Sequence, residues 1–287
     1  MNTGSGGVGI VGVHGIFQAR KNATSLAAEW SRAIRRGLID AAFDVPALTL
    51  QVPHLSPLLR VPTNLLGADD DEALASLTDD ERVFIESSLE DALADLDRSD
   101  VERLAEEAAT LAGLPAFPTR RGLTLLAAVD GRWRGGARLV LALLREVFAY
   151  LHAPTCGWQV RRRVRLTATS QTRMLLAHSL GSVIAFDLLR RGELPQVTTL
   201  VTFGSPLGWP TVRTALANSA ESASPSELVT WTNIYDHRDA VTAGRRLAGF
   251  WPQVTDVEVS NPVTDAHGAQ GYLRQPIMAA LIAGDLR

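Results

Sequence analysis

The stretch Met174-Leu175-Leu176-Ala177-His178-Ser179-Leu180-Gly181-Ser182-Val183-Ile184-Ala185-Phe186 constrains the fold more than any other. It reads as a short buried strand, a tight turn and then an amphipathic helix. Small residues, Ala177 and Gly181, stand two places either side of Ser179. A sharp strand-to-helix turn needs them, because the two backbones pass close together there. Such a turn lifts Ser179 above the sheet and sets it at a helix N-terminus, where the helix dipole favours negative charge. A serine in that place is also an ordinary N-cap, so the rest of the chain must decide between the two roles.

The same strand-then-helix rhythm recurs on both sides. Val8 to Gly15 is apolar, β-branched and glycine-spaced, as a buried parallel strand is. Asn22 or Thr24 starts a helix through Gly37, with Leu26, Trp30, Ala33 and Ile34 on one face. Ala47 to Val52 is the next strand, stopped by Pro53, and Pro57 and Pro62 mark a turn. A helix from Trp158 to Ala168 leads into the strand Arg173 to Ala177. After the helix that follows Ser179 come strands at Thr198–Thr202, Leu228–Ile234 and Val254–Val259, then a closing helix near Gln275–Ile282. Repeated β-then-α units predict an α/β fold: a mostly parallel central sheet with helices on both faces. Right-handed crossovers bring the loops after all its strands to one edge.

Residues 67–155 differ in character and predict a helical cap inserted into a core made of 1–66 and 156–287. Thr78-x-x-Glu81 and Ser99-x-x-Glu102 are capping-box patterns, marking two helix starts. The second helix should end at Gly113, and Arg138 to Leu151 forms a further one. Charge is segregated along this part of the chain. Asp69 to Glu107 holds 16 acidic residues and 3 arginines, whereas Arg120 to Arg173 holds 11 arginines against Asp130 and Glu146. Solvated helix faces explain such runs; a sharper reading has the two runs facing each other and holding the cap to the body.

Composition excludes several classes. A net charge of -3 provides no basic field for nucleic acid, so no nucleic-acid partner is expected. One cysteine, Cys156, allows neither an intrachain disulfide nor a cysteine-based metal cluster. His54 and His152 stand at no ligand spacing, so neither a metal nor any other cofactor is expected. No apolar run approaches the ~20 residues of a membrane span, and Met1 to Gly7 lacks the basic start of a secretory signal. A cytoplasmic location follows as the default, with peripheral membrane contact through an apolar cap face left open.

Reacting groups should be sought in the loops after the strands. These are His14-Gly15-Ile16, Ser179, Tyr235 to Val241 with Asp236 and Asp239, and Asn261 to Gly271 with Asp265 and His267. A serine, then an acid, then a histidine is the order a Ser-Asp-His triad takes on this architecture. Serine needs a histidine to take its proton, and the histidine needs a carboxylate on its other nitrogen. Asp239 is preferred to Asp236, which suits a turn. Leu180 N–H and a donor after His14-Gly15, Ile16, can make an oxyanion hole. His14 then orders that loop, His237 is structural or exposed, and Ser205 is a weaker rival for the nucleophile. His178 should point away from the site, toward core packing or a backbone hydrogen bond.

On these pieces the chain resembles the α/β-hydrolase fold serine hydrolases of the lipase/esterase kind, and is close in pattern to their intracellular, PGAP1-like branch. The pieces are Val13-His14-Gly15-Ile16, Ala177 to Val183, Thr202 to Leu207, Asn233 to Val241 and Ala266-His267-Gly268, in the family order. The resemblance implies Ser179 as nucleophile, Asp239 as acid, His267 as base, and Leu180 with Ile16 as oxyanion-hole residues. Ala240 departs from the Pro that such families often carry after the acid. The cap matches no motif of the family. The expected activity is cleavage of a small-molecule or lipid carboxylic ester through an acyl-enzyme. Acyl transfer, thioester cleavage or ring closure would use the same residues, and a module that kept the fold but lost activity is the alternative of another class.

Overall fold

The structure, a computed structural model, describes residues 9–44, 49–59, 77–109, 114, 116–219 and 229–285. Six strands form one parallel sheet: β1 Gly9–Val13, β2 Thr49–Gln51, β3 Thr172–His178, β4 Thr199–Phe203, β5 Thr230–Tyr235 and β6 Val254–Glu258. Their spatial order is β2-β1-β3-β4-β5-β6. The chain therefore winds outward from β1 in one direction to β2 and in the other through β3 to β6. Connections after β1 and β3 leave on opposite sides, so a crevice opens at the strand C-terminal ends between these two strands. Val8, Ala47, Pro62, residue 67, Leu111 to Gly113 and Leu228, where several of the expected boundaries fall, lie outside the described residues.

Both sheet faces are covered, for the reason the strand sequences suggest. Alternate residues point to opposite faces: Leu175 and Ala177 join one buried cluster, Met174 and Leu176 the other. On the second face pack α1 (Ala23–Asp40), α10 (Ala269–Leu273) and α11 (Pro276–Asp285). Asn22 caps α1, accepting from Ser25 N while Ser25 Oγ accepts from Asn22 N, and Leu26, Trp30, Ala33 and Ile34 are the buried stripe. Each fully buried aliphatic side chain of this kind stabilises by roughly 1.5–3 kcal/mol.

Between β2 and β3 the described residues are helical and contain no strand. They form α2 (Ser56–Leu59), α3 (Asp79–Ala92), α4 (Arg98–Ala109), α5 (Arg120–Arg132), α6 (Gly136–His152) and α7 (Pro154–Thr167). After β3 comes α8 (Leu180–Arg190), and after β4 comes α9 (Pro210–Asn218). Thr78 caps α3 by accepting from Glu81 N. The second capping box is corrected: α4 starts one residue earlier than Ser99, and Asp97 Oδ1 accepts from Asp100 N. A carboxylate at the cap position adds charge to the hydrogen bond at the positive end of the helix. Helix α5 was not anticipated, although Thr119 caps it through Gly122 N.

The acidic and basic runs do face each other, within the helical segment. Arg132 holds Asp95 at 2.6 and 2.8 Å, Arg145 holds Glu81 at 2.9 Å, and Arg121 pairs with Glu90. Attachment to the body does not pair the two runs with each other. Buried Asp187 of α8 accepts from Tyr150 Oη of α6 at 2.8 Å and from Arg161 of α7 at 3.2 Å, and Asp91 of α3 accepts from Thr211 N of α9.

Candidate active site

The serine turn is strained. Ser179 is buried, with φ 56 and ψ −128, a left-handed backbone that a non-glycine residue rarely adopts. The flanking glycines have a steric reason. A Cβ on Gly181 would overlap the carbonyl oxygen of Val13, and one on Gly15 would lie 2.6 Å from Ser179 Cβ. The loop after β1 is thus pressed against the turn after β3, as their adjacency in the sheet requires.

Ser179 Oγ is 3.0 Å from His267 Nε2, and His267 Nδ1 lies 3.0 and 2.9 Å from the two carboxylate oxygens of Asp239. With Nδ1–H donating to the carboxylate, Nε2 is the acceptor for the serine hydroxyl. Asp239 is itself buried and further held by Val241 N at 2.8 Å and Tyr272 Oη at 2.8 Å. Burial, with the nearby carboxylate of Asp239, pushes the Tyr272 phenol well above its ordinary pKa, so it remains a donor. Gly204, at φ +56, leaves the space over this pair open; a Cβ there would stand 3.2 Å from both Asp239 Oδ2 and the His267 ring.

Asp236 has a different task. Its buried carboxylate accepts from Arg238 N, the Arg238 guanidinium and Asn261 N. Burial alone would raise its pKa; those hydrogen bonds and the Arg238 charge hold it below the usual carboxylate value. Through Asn261, Asp236 ties the acid loop after β5 to the loop after β6, so it positions both without touching His267.

The remaining candidates separate cleanly. His14 Nε2 accepts from Leu55 N at 2.9 Å, which puts its proton on Nδ1, 2.7 Å from Gly15 O. Burial lowers its pKa to about 4; it is a neutral strut within the loop that carries Ile16. Leu180 is the first residue of α8, where helix N–H groups have no acceptor within the helix. Ser205 Oγ is 2.7 Å from Ser182 Oγ and accepts from Leu207 N, a structural pairing. His237 is exposed beside Glu258, His54 bonds to Gln18 O, and His152 stacks on Phe148. No group of metal-binding side chains occurs among the described residues.

For His178, one expectation needs correction. The ring does make a backbone hydrogen bond, but to His267 O at 2.8 Å, and its centroid lies 4.7 Å from that of His267. Strand alternation puts it on the face of Met174 and Leu176, and the loop after β6 folds across that face. Its pKa is driven well below 6.5, first by burial and then by its histidine neighbour. His178 therefore supports the His267 loop in its neutral form. Tyr272, which braces Asp239, went unnoticed in the sequence, because a tyrosine in a short helix carries no local signal of its partner.

The helical segment reaches over this site. Trp133 Nε1 donates to His237 O at 3.4 Å, and a Cβ on Gly136 would lie 3.1 Å from Ala240 Cβ. Small residues at 136 and 240 thus let the start of α6 sit against the acid loop. Leu139 of α6 joins Ile16, His178 and His267 around a cavity of about 280 Å³. A larger cavity, about 1240 Å³, lies among α3, α4 and α5.

No family model matches this chain, and no curated protein or solved structure matches it either. The parallel six-stranded α/β architecture is compatible with an α/β-hydrolase fold.

Proposed function

We propose that this protein is a serine hydrolase that cleaves a carboxylic ester through an acyl-enzyme. One observation carries the reading: Ser179, His267 and Asp239 form an unbroken hydrogen-bonded chain, with the serine on a strained turn at a helix start. Histidine beside serine supplies a base, carboxylate beside histidine fixes its tautomer and stabilises the imidazolium, and the chemistry of acyl transfer needs both.

In the reaction Ser179 Oγ attacks the ester carbonyl carbon as His267 Nε2 takes its proton. The carbonyl oxygen becomes negative and is received by backbone N–H donors, for which Leu180 and Ile16 are the candidates. As the tetrahedral species collapses, the carbon–oxygen bond to the alcohol breaks and His267 returns the proton to the leaving oxygen. Water then repeats the sequence on the acyl-serine, with His267 as base, releasing the acid. Ester and water give acid and alcohol. Lipase-like chemistry belongs to the same proposal and differs only in the substrate's size.

The test is covalent labelling by a fluorophosphonate, with hydrolysis of a short p-nitrophenyl ester followed in parallel. Wild-type protein is expected to label once, and Ser179→Ala to lose labelling and turnover while keeping its circular dichroism spectrum. Labelling that persists in Ser179→Ala rules the serine out. Intact protein that never labels favours the inactive-module reading.

A further inference from the structure

Resting on the hydrolase reading, we infer that the cavity beside His267 binds the alcohol portion of the ester, and that this alcohol is small, uncharged or cationic, and rich in hydrogen-bond donors.

Position assigns the cavity to the alcohol. His267 must hand its proton to the leaving oxygen, so the leaving group lies on the side of that imidazole. The cavity is built largely from the loop that carries His267 and from the loop after β1, and Ile16 is part of its wall. A group occupying it sits next to the proton donor and next to the loop proposed to receive the carbonyl oxygen.

Lining chemistry then limits what enters. Gln18 Oε1 is buried with no protein partner, while its amide nitrogen is committed to Ile16 O at 2.9 Å. A buried acceptor left empty is unfavourable, and a substrate hydroxyl or ammonium would fill it. Glu29 is held in place by Lys21 and by Gln270 Nε2 at 2.7 Å, which leaves further lone pairs on its carboxylate. Burial would raise the Glu29 pKa, but those two partners bring it below its ordinary value, so it faces the cavity ionised. Asp265 adds a second carboxylate, and no lysine or arginine is in the lining. A phosphate or carboxylate on the alcohol would meet the charge of Asp265 and that of Glu29, which Lys21 balances only from the side away from the lining. Trp30 and Leu139 supply apolar wall. At about 280 Å³ the space lies just below the ~300 Å³ at which ligand sites usually start, which suits a small alcohol, and an alkyl chain there would leave Gln18 Oε1 without a partner. The loop stores strain at this point too: Phe17, between Ile16 and Gln18, has φ 62.

Four butyrate esters sharing one acyl group test the inference, with fluorophosphonate titration of Ser179 counting competent sites. Their alcohols are glycerol, a protonated ethanolamine, glycerol phosphate and octanol. Expected kcat/KM per labelled site is at least about tenfold higher for the glycerol or ethanolamine ester than for the octyl or phosphorylated one. A preference for glycerol over ethanolamine would mark the cavity as a polyol site, and the reverse as a cation site. Glu29→Gln should narrow the gap between the neutral and phosphorylated esters about tenfold, and Asp265→Asn should narrow it in the same direction. Labelled enzyme with equal rates on all four esters, or with the octyl ester preferred, overturns the cavity assignment alone. So does a gap that neither variant changes. Absence of labelling in wild-type protein overturns the hydrolase reading and this one together.

Discussion

The sheet body and the helical segment between β2 and β3 handle polar groups in opposite ways. In the body, the two carboxylates of the loop after β5 are buried and densely bonded: Asp239 receives His267, Tyr272 and Val241, and Asp236 receives Arg238 and Asn261. In the helical segment many ion pairs lie in water, as Arg98 with Glu102 does at 2.8 Å. The segment's buried Glu146 has one carboxylate oxygen without a partner. Buried, satisfied groups hold one geometry, while exposed pairs add little and tolerate change. The body is therefore where atoms must stay in register, and the exposed faces of the segment are where a substitution costs least.

Substitutions at the two aspartates of one loop make the sharpest test within the body. Asp239→Asn should lower kcat about 10⁴-fold by losing the tautomer control of His267, with the fold kept. Asp236→Asn should instead lower the urea midpoint, since it leaves Arg238 and Asn261 N with a weaker partner. If the two variants exchange these phenotypes, the assignment of the acid is wrong.

Glycines compare the two regions directly. Gly181→Ala drives a Cβ into the Val13 carbonyl, part of a fixed strand; a loss of several kcal/mol, of the ~1–3 kcal/mol overpacking scale or above, is expected in denaturant melts. Gly122→Ala meets the buried Phe117 ring, a side chain that can shift where the Val13 backbone cannot, and helix propensity offsets up to ~1 kcal/mol of that clash, so a smaller loss is expected. Equal destabilisation by both would erase the contrast in rigidity.

Acidity should act on the regions with opposite sign. His14 titrates near 4 in the fold and His178 well below its ordinary value, both through burial. The unfolded chain takes up those protons below ~6.5, so the body's contribution is intact above that pH and is lost as pH falls toward 4. Burial raises Glu146 to about 7, so its contribution is intact below ~4.5 and is lost as pH rises through 7. For His14 and for Glu146 the effect is roughly 3 kcal/mol. Urea midpoints between pH 5 and 8 should lose their alkaline decline in Glu146→Gln and keep the acid one. A wild-type-like alkaline decline in that variant would remove Glu146 as its cause. At the small end, Arg98→Ala should leave the midpoint where it is, as for most exposed pairs.

Much of the site was legible because its signals are local. Ser179 is marked by Ala177 and Gly181 at fixed offsets, and steric contact with Val13 explains why the second must be small. Asp239 and His267 are marked by their place after strands that periodicity identifies. Tyr272 and Glu29 were not legible, since each acts across the fold, Tyr272 on Asp239 33 positions away and Glu29 with Gln270 241 positions away; Gln18 bonds Ile16 nearby, but nothing local marks its Oε1 as buried without a partner. The Asp97 cap and helix α5 were missed for a lesser reason, two competing cap residues in one case and a glycine-bearing, weakly marked start in the other.

By itself the sequence determined that strands and helices alternate, that a serine stands on a sharp turn, and that an acid and a histidine follow it in order. Those properties depend on neighbours along the chain: periodicity, turn sterics and caps. Tertiary structure decided which acid meets His267, that His178 lies against it, and how the helical segment closes over the loops. Strand order placed β1 beside β3 and folded the loop after β6 back across the sheet edge. Contacts between residues so far apart depend on packing, which no local pattern encodes.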